Sequence, residues 1–132
     1  MKILFTQKIK DKFEDFKDFI KVQELPAEKI IAFGSITTGH ISPKSDIDLC
    51  IVLKSIQGMQ AIEDKMIITK IIENFFAEIN IDIDYVFLSK EALYSKRKTL
   101  YKKILQEGIV IYENLLADSH GRLERSTLFE ES

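Results

Sequence analysis

Two short stretches of this 132-residue chain combine residue types that handle phosphate and divalent cations. Gly34-Ser35 closes an apolar run, ten residues intervene, and Asp46-Ile47-Asp48 opens the next apolar run. A glycine lets the backbone approach a ligand closely, and backbone N–H groups with a serine hydroxyl can hold phosphate oxygens. Side chains two apart on a strand project to one face. Asp46 and Asp48 therefore stand side by side, with Cα atoms roughly 6.6 Å apart, while Ile47 and Leu49 turn the other way to pack. Carboxylates at that spacing can share a cation and otherwise repel, each raising the other's pKa. Their hard oxygens favour Mg²⁺ or Mn²⁺ over zinc. A third carboxylate is available in Ile81–Leu88, at Asp82 or Asp84, which share a face. Neighbouring strands lie about 4.8 Å apart, so either could reach the same cations if its run pairs with that of Asp46. Three acids on one sheet edge can hold two ions about 3.5 to 4 Å apart, the clamp used in phosphoryl and nucleotidyl transfer.

The elements that must position these groups follow from hydrophobic period. Ile9, Phe13, Phe16, Phe19 and Ile20 recur at helical steps and predict an amphipathic helix from Thr6 to about Val22. Lys29–Phe33 and Asp46–Leu53 read as strands, with a polar loop over Ser35–Ser45 between them. A wide apolar stripe from Met59 to Ile79 predicts a second long helix whose Met and Phe residues are core. The run INIDIDYVFL predicts a third strand, Glu91–Gln106 a helical region interrupted near Ser95–Thr99, and Ile109–Tyr112 a short fourth strand. Gly108 sits where a helix C-cap belongs. The expected fold class is α+β, a mixed sheet flanked by helices. One domain is expected over residues 1–113, followed by a tail over 114–132 of low hydrophobic density.

Composition narrows the function classes. With 45% hydrophobic and 30% charged residues, the chain is an ordinary globule. Its 19 basic and 21 acidic residues give a net charge of −2, against a dedicated nucleic-acid or anionic-membrane binder. One cysteine, Cys50, makes no internal disulfide and reads as a packing residue in a reducing compartment. The start MKILFTQKIK lacks the features of a signal peptide, and no apolar run approaches the roughly 18 residues of a membrane span. A cytoplasmic location is the expectation. His40, His120 and the basic cluster Lys96, Arg97, Lys98, Lys102 and Lys103 read first as polar surface, the alternatives being contact of His40 with a nucleotide and attraction of a triphosphate or an RNA-bound partner by the cluster.

The sequence resembles the nucleotidyltransferases of the DNA polymerase β superfamily, and among them the minimal nucleotidyltransferases. The resemblance rests on Phe33-Gly34-Ser35, the ten-residue gap and Asp46-Ile47-Asp48. Gly39 and Ser45, IDYVFLSKEAL and the closing EGIVIYE extend it over roughly residues 29 to 113. It implies a polymerase β-like fold and transfer of AMP from ATP by two Mg²⁺ ions, or Mn²⁺. In that scheme Asp46, Asp48 and Asp84 ligate the metals, and Asp84 also helps deprotonate the acceptor. Gly34, Ser35 and Ser45 bind the nucleotide. Asp84 is preferred to Asp82 because the family's acid precedes a hydrophobic run, here Tyr85-Val86-Phe87-Leu88.

Several small members are antitoxins that attach AMP to a tyrosine of a helical RNase toxin of the HEPN type (higher eukaryote and prokaryote nucleotide-binding), and the gap length agrees with those. The resemblance thus implies a HEPN-type partner, while the charge balance leads to the expectation of neither direct nucleic-acid nor membrane binding. A binding-only antitoxin is one alternative, and a transferase for a small-molecule or nucleotide acceptor, with a site built by a homo-oligomer, is another. The chain departs from the pattern just after Gly-Ser, where members often carry basic residues and this one has Ile36, Thr37 and Thr38. Neutralising the triphosphate is then left to the metals, to Lys44 or to a partner.

Overall fold

The computed structural model of the protein describes residues 2–41 and 46–114, with side chains from residue 6 onward. In chain order the elements are α1 (Lys2–Lys21), β1 (Lys29–Phe33), α2 (Ser35–Thr38), β2 (Ile47–Leu53), α3 (Met59–Phe75), β3 (Ile83–Ser89), α4 (Lys90–Tyr94), α5 (Thr99–Glu107) and β4 (Ile109–Glu113). The strands form one mixed sheet in the order β3-β2-β1-β4. β1 is antiparallel to both β2 and β4, and β2 is parallel to β3 through the α3 crossover. The α+β expectation therefore holds.

β2 shows why the sheet sits in the middle of the molecule. Its alternate residues Ile47, Leu49, Ile51 and Leu53 pack with Phe13, Phe16 and Ile20 of α1 and with Ile68 and Ile72 of α3. Cys50 and Val52 point the other way, into a layer with Ile31, Phe33, Leu88, Leu93 and Ile104 beneath α4 and α5. A strand covered on both faces reads as a continuous apolar run, as IDLCIVL does. On the first face the aromatics lock the two long helices together: Phe16 lies 4.8 Å from Phe76 and Phe19 stacks on Phe75 at 4.7 Å, centroid to centroid. The Tyr112 hydroxyl accepts from the Leu25 N–H at 2.9 Å, tying the α1–β1 connection to β4.

Four local expectations are corrected. α1 starts at Lys2, before the first residue of the apolar period. Residues 35–38 of the supposed loop form a single helical turn, because the Gly34 carbonyl accepts from both Thr37 and Thr38 N–H groups. α3 ends at Phe75, and the chain continues in turns that carry Phe76 and Ile79 back against the core. The fourth concerns the α3 stripe, which is not all core. Ala61, Ile68 and Ile72 are buried, whereas Met59 is 73% exposed, Met66 65% and Ile62 52%. At 100° per residue the apolar residues of α3 spread around most of the helix, so only one side of them can meet the sheet.

The expected interruption separates α4 from α5 around Lys96, which has a positive φ of 56°. Gly108 does follow α5, but in extended backbone. What excludes a side chain there is space, since a Cβ would collide with the Ile104 carbonyl and the Ile31 side chain. The expected tail falls outside the described residues beyond Asn114. Among the described residues, no helix is long and apolar enough to cross a membrane.

Candidate active site

The parallel pairing of β2 with β3 decides which acids meet. Ile47 pairs with Ile83 and Asp48 with Asp84, and the Ile47 N–H donates to the Asp82 carbonyl at 3.0 Å. Asp46, one residue before β2, shares the side-chain parity of Asp48. Asp84 shares that of Val86 and Leu88, which face the α4–α5 layer. The three carboxylates consequently stand together at one end of the sheet, on its α4–α5 side.

Their electrostatics record the crowding. Asp46 titrates above its ordinary value through partial desolvation, then a hydrogen bond to the Asp84 carboxyl, then the charges of Asp84 and Asp82. Two carboxyls can hydrogen-bond only if they share a proton, so that contact itself marks like charges held close. Asp48 is raised by burial first, then by Asp84 and Asp46, and is partly offset by the ammonium of Lys103. Of the two candidates for the third acid, Asp84 bears on both Asp46 and Asp48, and Asp82 bears on Asp46.

The Gly34-Ser35 turn closes the other side. Phe33 is the register partner of Asp48, so the next residue, Gly34, lies directly against the Asp48 carboxylate. Its φ of 78° and ψ of −150° belong to a region essentially closed to other residues. A Cβ there would also collide with Asp48 Oδ2. Ser35 begins α2, where the first backbone N–H groups have no partner within the helix. Beside the acids an open depression of about 520 Å³ is lined by Asp46, Glu73, Asn80, Asp82 and Asp84.

A turn of backbone N–H groups facing paired carboxylates suits a metal-bound nucleotide. The sequence profile of the family described as polymerase beta, nucleotidyltransferase matches residues 7–115. The chain belongs to this nucleotidyltransferase family. No curated protein sequence matches it. Among solved structures, the nucleotidyltransferase is similar to a toxin–antitoxin crystallised with AMP-PNP, at 17% identity and TM-score 0.48, covering 83% of this chain and 77% of that one. It is also similar to a putative nucleotidyltransferase from Sulfolobus solfataricus, at 21% identity and TM-score 0.40, covering 86% and 84%. A third is the tri-AMPylated Shewanella oneidensis HEPN toxin in complex with MNT antitoxin, at 17% identity and TM-score 0.39, covering 90% and 78%.

The donor chemistry of the nucleotidyltransferase fits the hard divalent cation its family implies. All three side chains are carboxylates, they are adjacent, and their mutual repulsion is the kind a cation relieves. Among the described residues no three His, Cys, Asp or Glu side chains are spaced as a three-ligand metal cluster. Ser45 and Lys44 lie outside the described residues, as does His120. His40 is exposed, its Nδ1 3.2 Å from the Thr38 hydroxyl. Cys50 is fully buried, and desolvation pushes its thiol up to about 12, which suits packing and not nucleophilic work. Within the basic cluster that the sequence reads first as a solvated helix face, Lys103 is the member whose charge bears on Asp48, and the packing of α5 singles it out.

Proposed function

We propose that this nucleotidyltransferase moves AMP from ATP to a hydroxyl, a tyrosine, on a partner protein, as the antitoxin of a HEPN-type helical toxin. The observation that carries the chemistry is the register pairing of Asp48 with Asp84, with Asp46 on the same face and Gly34 packed against Asp48. Asp46, Asp48 and Asp84 would hold the divalent cations, Mg²⁺ in the first instance. When bound, these ions neutralise the phosphates and stabilise attacking and leaving oxygens.

The chain's own groups divide the rest of the work. The Gly34 backbone, Ser35 and Ser45 grip the triphosphate, with Gly34 letting it come close. Asp84 takes the proton from the acceptor hydroxyl. The acceptor oxygen then bonds to the α-phosphorus, the bond from that phosphorus to the bridging oxygen breaks, and pyrophosphate leaves with its electron pair.

A protein acceptor is supported by the outward side of α3. Met59, Ile62, Met66 and Ile67 are all exposed there, an apolar helix face of the sort that marks a protein interaction site. The absence of a basic side chain at Ile36, Thr37 and Thr38 favours a second reading, inhibition of the toxin by contact alone. Incubation with α-labelled ATP and Mg²⁺, with and without the toxin partner, separates the two. Label on a toxin tyrosine that disappears with Asp46→Asn/Asp48→Asn supports AMP transfer. Tight binding without label means contact alone, and label on a small acceptor instead would overturn the protein-modifying reading.

A further inference from the structure

Ile36, Thr37 and Thr38 give the Gly-Ser turn no cation of its own, but α5 brings one to the same end of the sheet. α5 passes into β4 with no loop between them: Gly108 packs against the Ala32 carbonyl and Ile31, and Ile109 pairs with Ala32. The following residue of β1, Phe33, pairs with Asp48. The last turns of α5 therefore lie over the sheet end where the carboxylates stand. They also lie on the correct face. Ile104 is buried among Phe33, Cys50 and Val52, the layer toward which Asp48 and Asp84 project.

Lys103 immediately precedes Ile104, is exposed, and has no described carboxylate within ion-pair distance. Its charge nevertheless reaches Asp48 and opposes the effect of the neighbouring acids. The other lysines of the cluster differ. Lys98 sits over the Tyr101 ring at 5.8 Å, and Lys102 lies roughly 160° around α5 from the buried Ile104, against roughly 100° for Lys103.

We propose that Lys103 binds the triphosphate of the nucleotide, supplying from α5 the positive charge that Ile36, Thr37 and Thr38 do not supply from the Gly-Ser turn. The assignment rests on the nucleotidyl-transfer reading above. An ammonium on a flexible stem at the mouth of the site suits a phosphate chain with several oxygens, and it leaves the base and ribose unread.

The test is calorimetric titration of the full chain in Mg²⁺ buffer with a non-hydrolysable ATP analogue and, separately, with AMP. Lys103→Ala should weaken the triphosphate by about tenfold or more, the loss of one charged hydrogen bond, and leave AMP unchanged. Lys103→Arg should restore most of the affinity, and Lys102→Ala should change neither ligand. An unchanged triphosphate affinity in Lys103→Ala, or equal loss for both ligands with no rescue by arginine, would overturn the assignment. Failure of the unsubstituted protein to bind the analogue at all is a distinct outcome, which removes the transferase reading and this assignment with it. Thermal melting of each variant checks that the exposed substitutions leave the fold intact.

Discussion

Asp48 and Asp84 are register partners across the only parallel strand pair among the described strands, and each crowds the other. The fold therefore gathers like charges at one sheet end. Because Asp46 and Asp48 titrate above their ordinary value, the folded chain holds protons that the unfolded chain has already released. Stability from these groups is present below the ordinary carboxylate range and is lost as pH rises through their raised values. In EDTA, Asp48→Asn should melt above the parent at pH 7, with the gap closing as pH falls toward the ordinary carboxylate range. Adding Mg²⁺ should raise the parent and narrow or reverse the order, since a ligand of the native state stabilises by mass action. Melting curves at several pH values, with EDTA or Mg²⁺, decide it; a parent that ignores Mg²⁺ would count against the metal role.

Gly34 makes a sharper prediction. Gly34→Ala places a methyl where Asp48 Oδ2 lies and forces an L-residue to a φ of 78°. The backbone strain alone should cost about 1–3 kcal/mol. Relieving the collision must also move the carboxylate, so nucleotide binding should fall along with stability. Urea unfolding with a nucleotide titration tests both. An alanine variant of parental stability would mean that the turn can relax away from β2.

Much of this arrangement is legible in the sequence. The parity of Asp46 and Asp48 follows from the period of two, the strand ending at Phe33 from an apolar run closed by Gly34, and the third strand after Asn80 from alternation passing into an apolar run; the register then brings Asp84 to Asp48. Other features depend on what touches what. The α3 stripe reads as core because its apolar residues recur at helical steps, but a stripe this wide says nothing about which side meets the sheet. Met59 and Met66 fell on the wrong side. The turn at Ser35–Thr38 hid inside a Gly/Thr-rich segment because its first bonds come from a tertiary constraint on Gly34, not from helix propensity. The basic cluster of α5 is legible as a source of charge for a triphosphate, but its sequence carries no sign that Lys103 is the member acting on Asp48.

Cys50 separates a buried thiol from a reactive one. It lies two residues from Asp48, close enough in sequence to suggest chemistry, but it has no exposed surface and its thiol is pushed up to about 12. The thiolate is the nucleophile, so alkylation by iodoacetamide at pH 8 should be negligible in the native protein. It should become complete in denaturant, following the unfolding transition monitored by circular dichroism. Labelling well before that transition would show local opening of β2.

The last prediction concerns the outward side of α3. Met59 and Met66 make few contacts within the chain, at 73% and 65% exposure, so Met59→Lys/Met66→Lys should change stability by no more than about 0.5 kcal/mol. If this face seats the helical partner, two lysines there place unpaired charge in an apolar contact, and binding should weaken steeply while nucleotide affinity is kept. Calorimetry with nucleotide and pull-down with the toxin give the two readouts. The substituted helix lies on the α1 side of the sheet, away from the layer that carries Asp48 and Asp84. Loss of partner binding with intact nucleotide binding would thus assign docking and chemistry to different surfaces. Unchanged partner binding would remove α3 as the docking face and leave the carboxylate end of the sheet as the place to look.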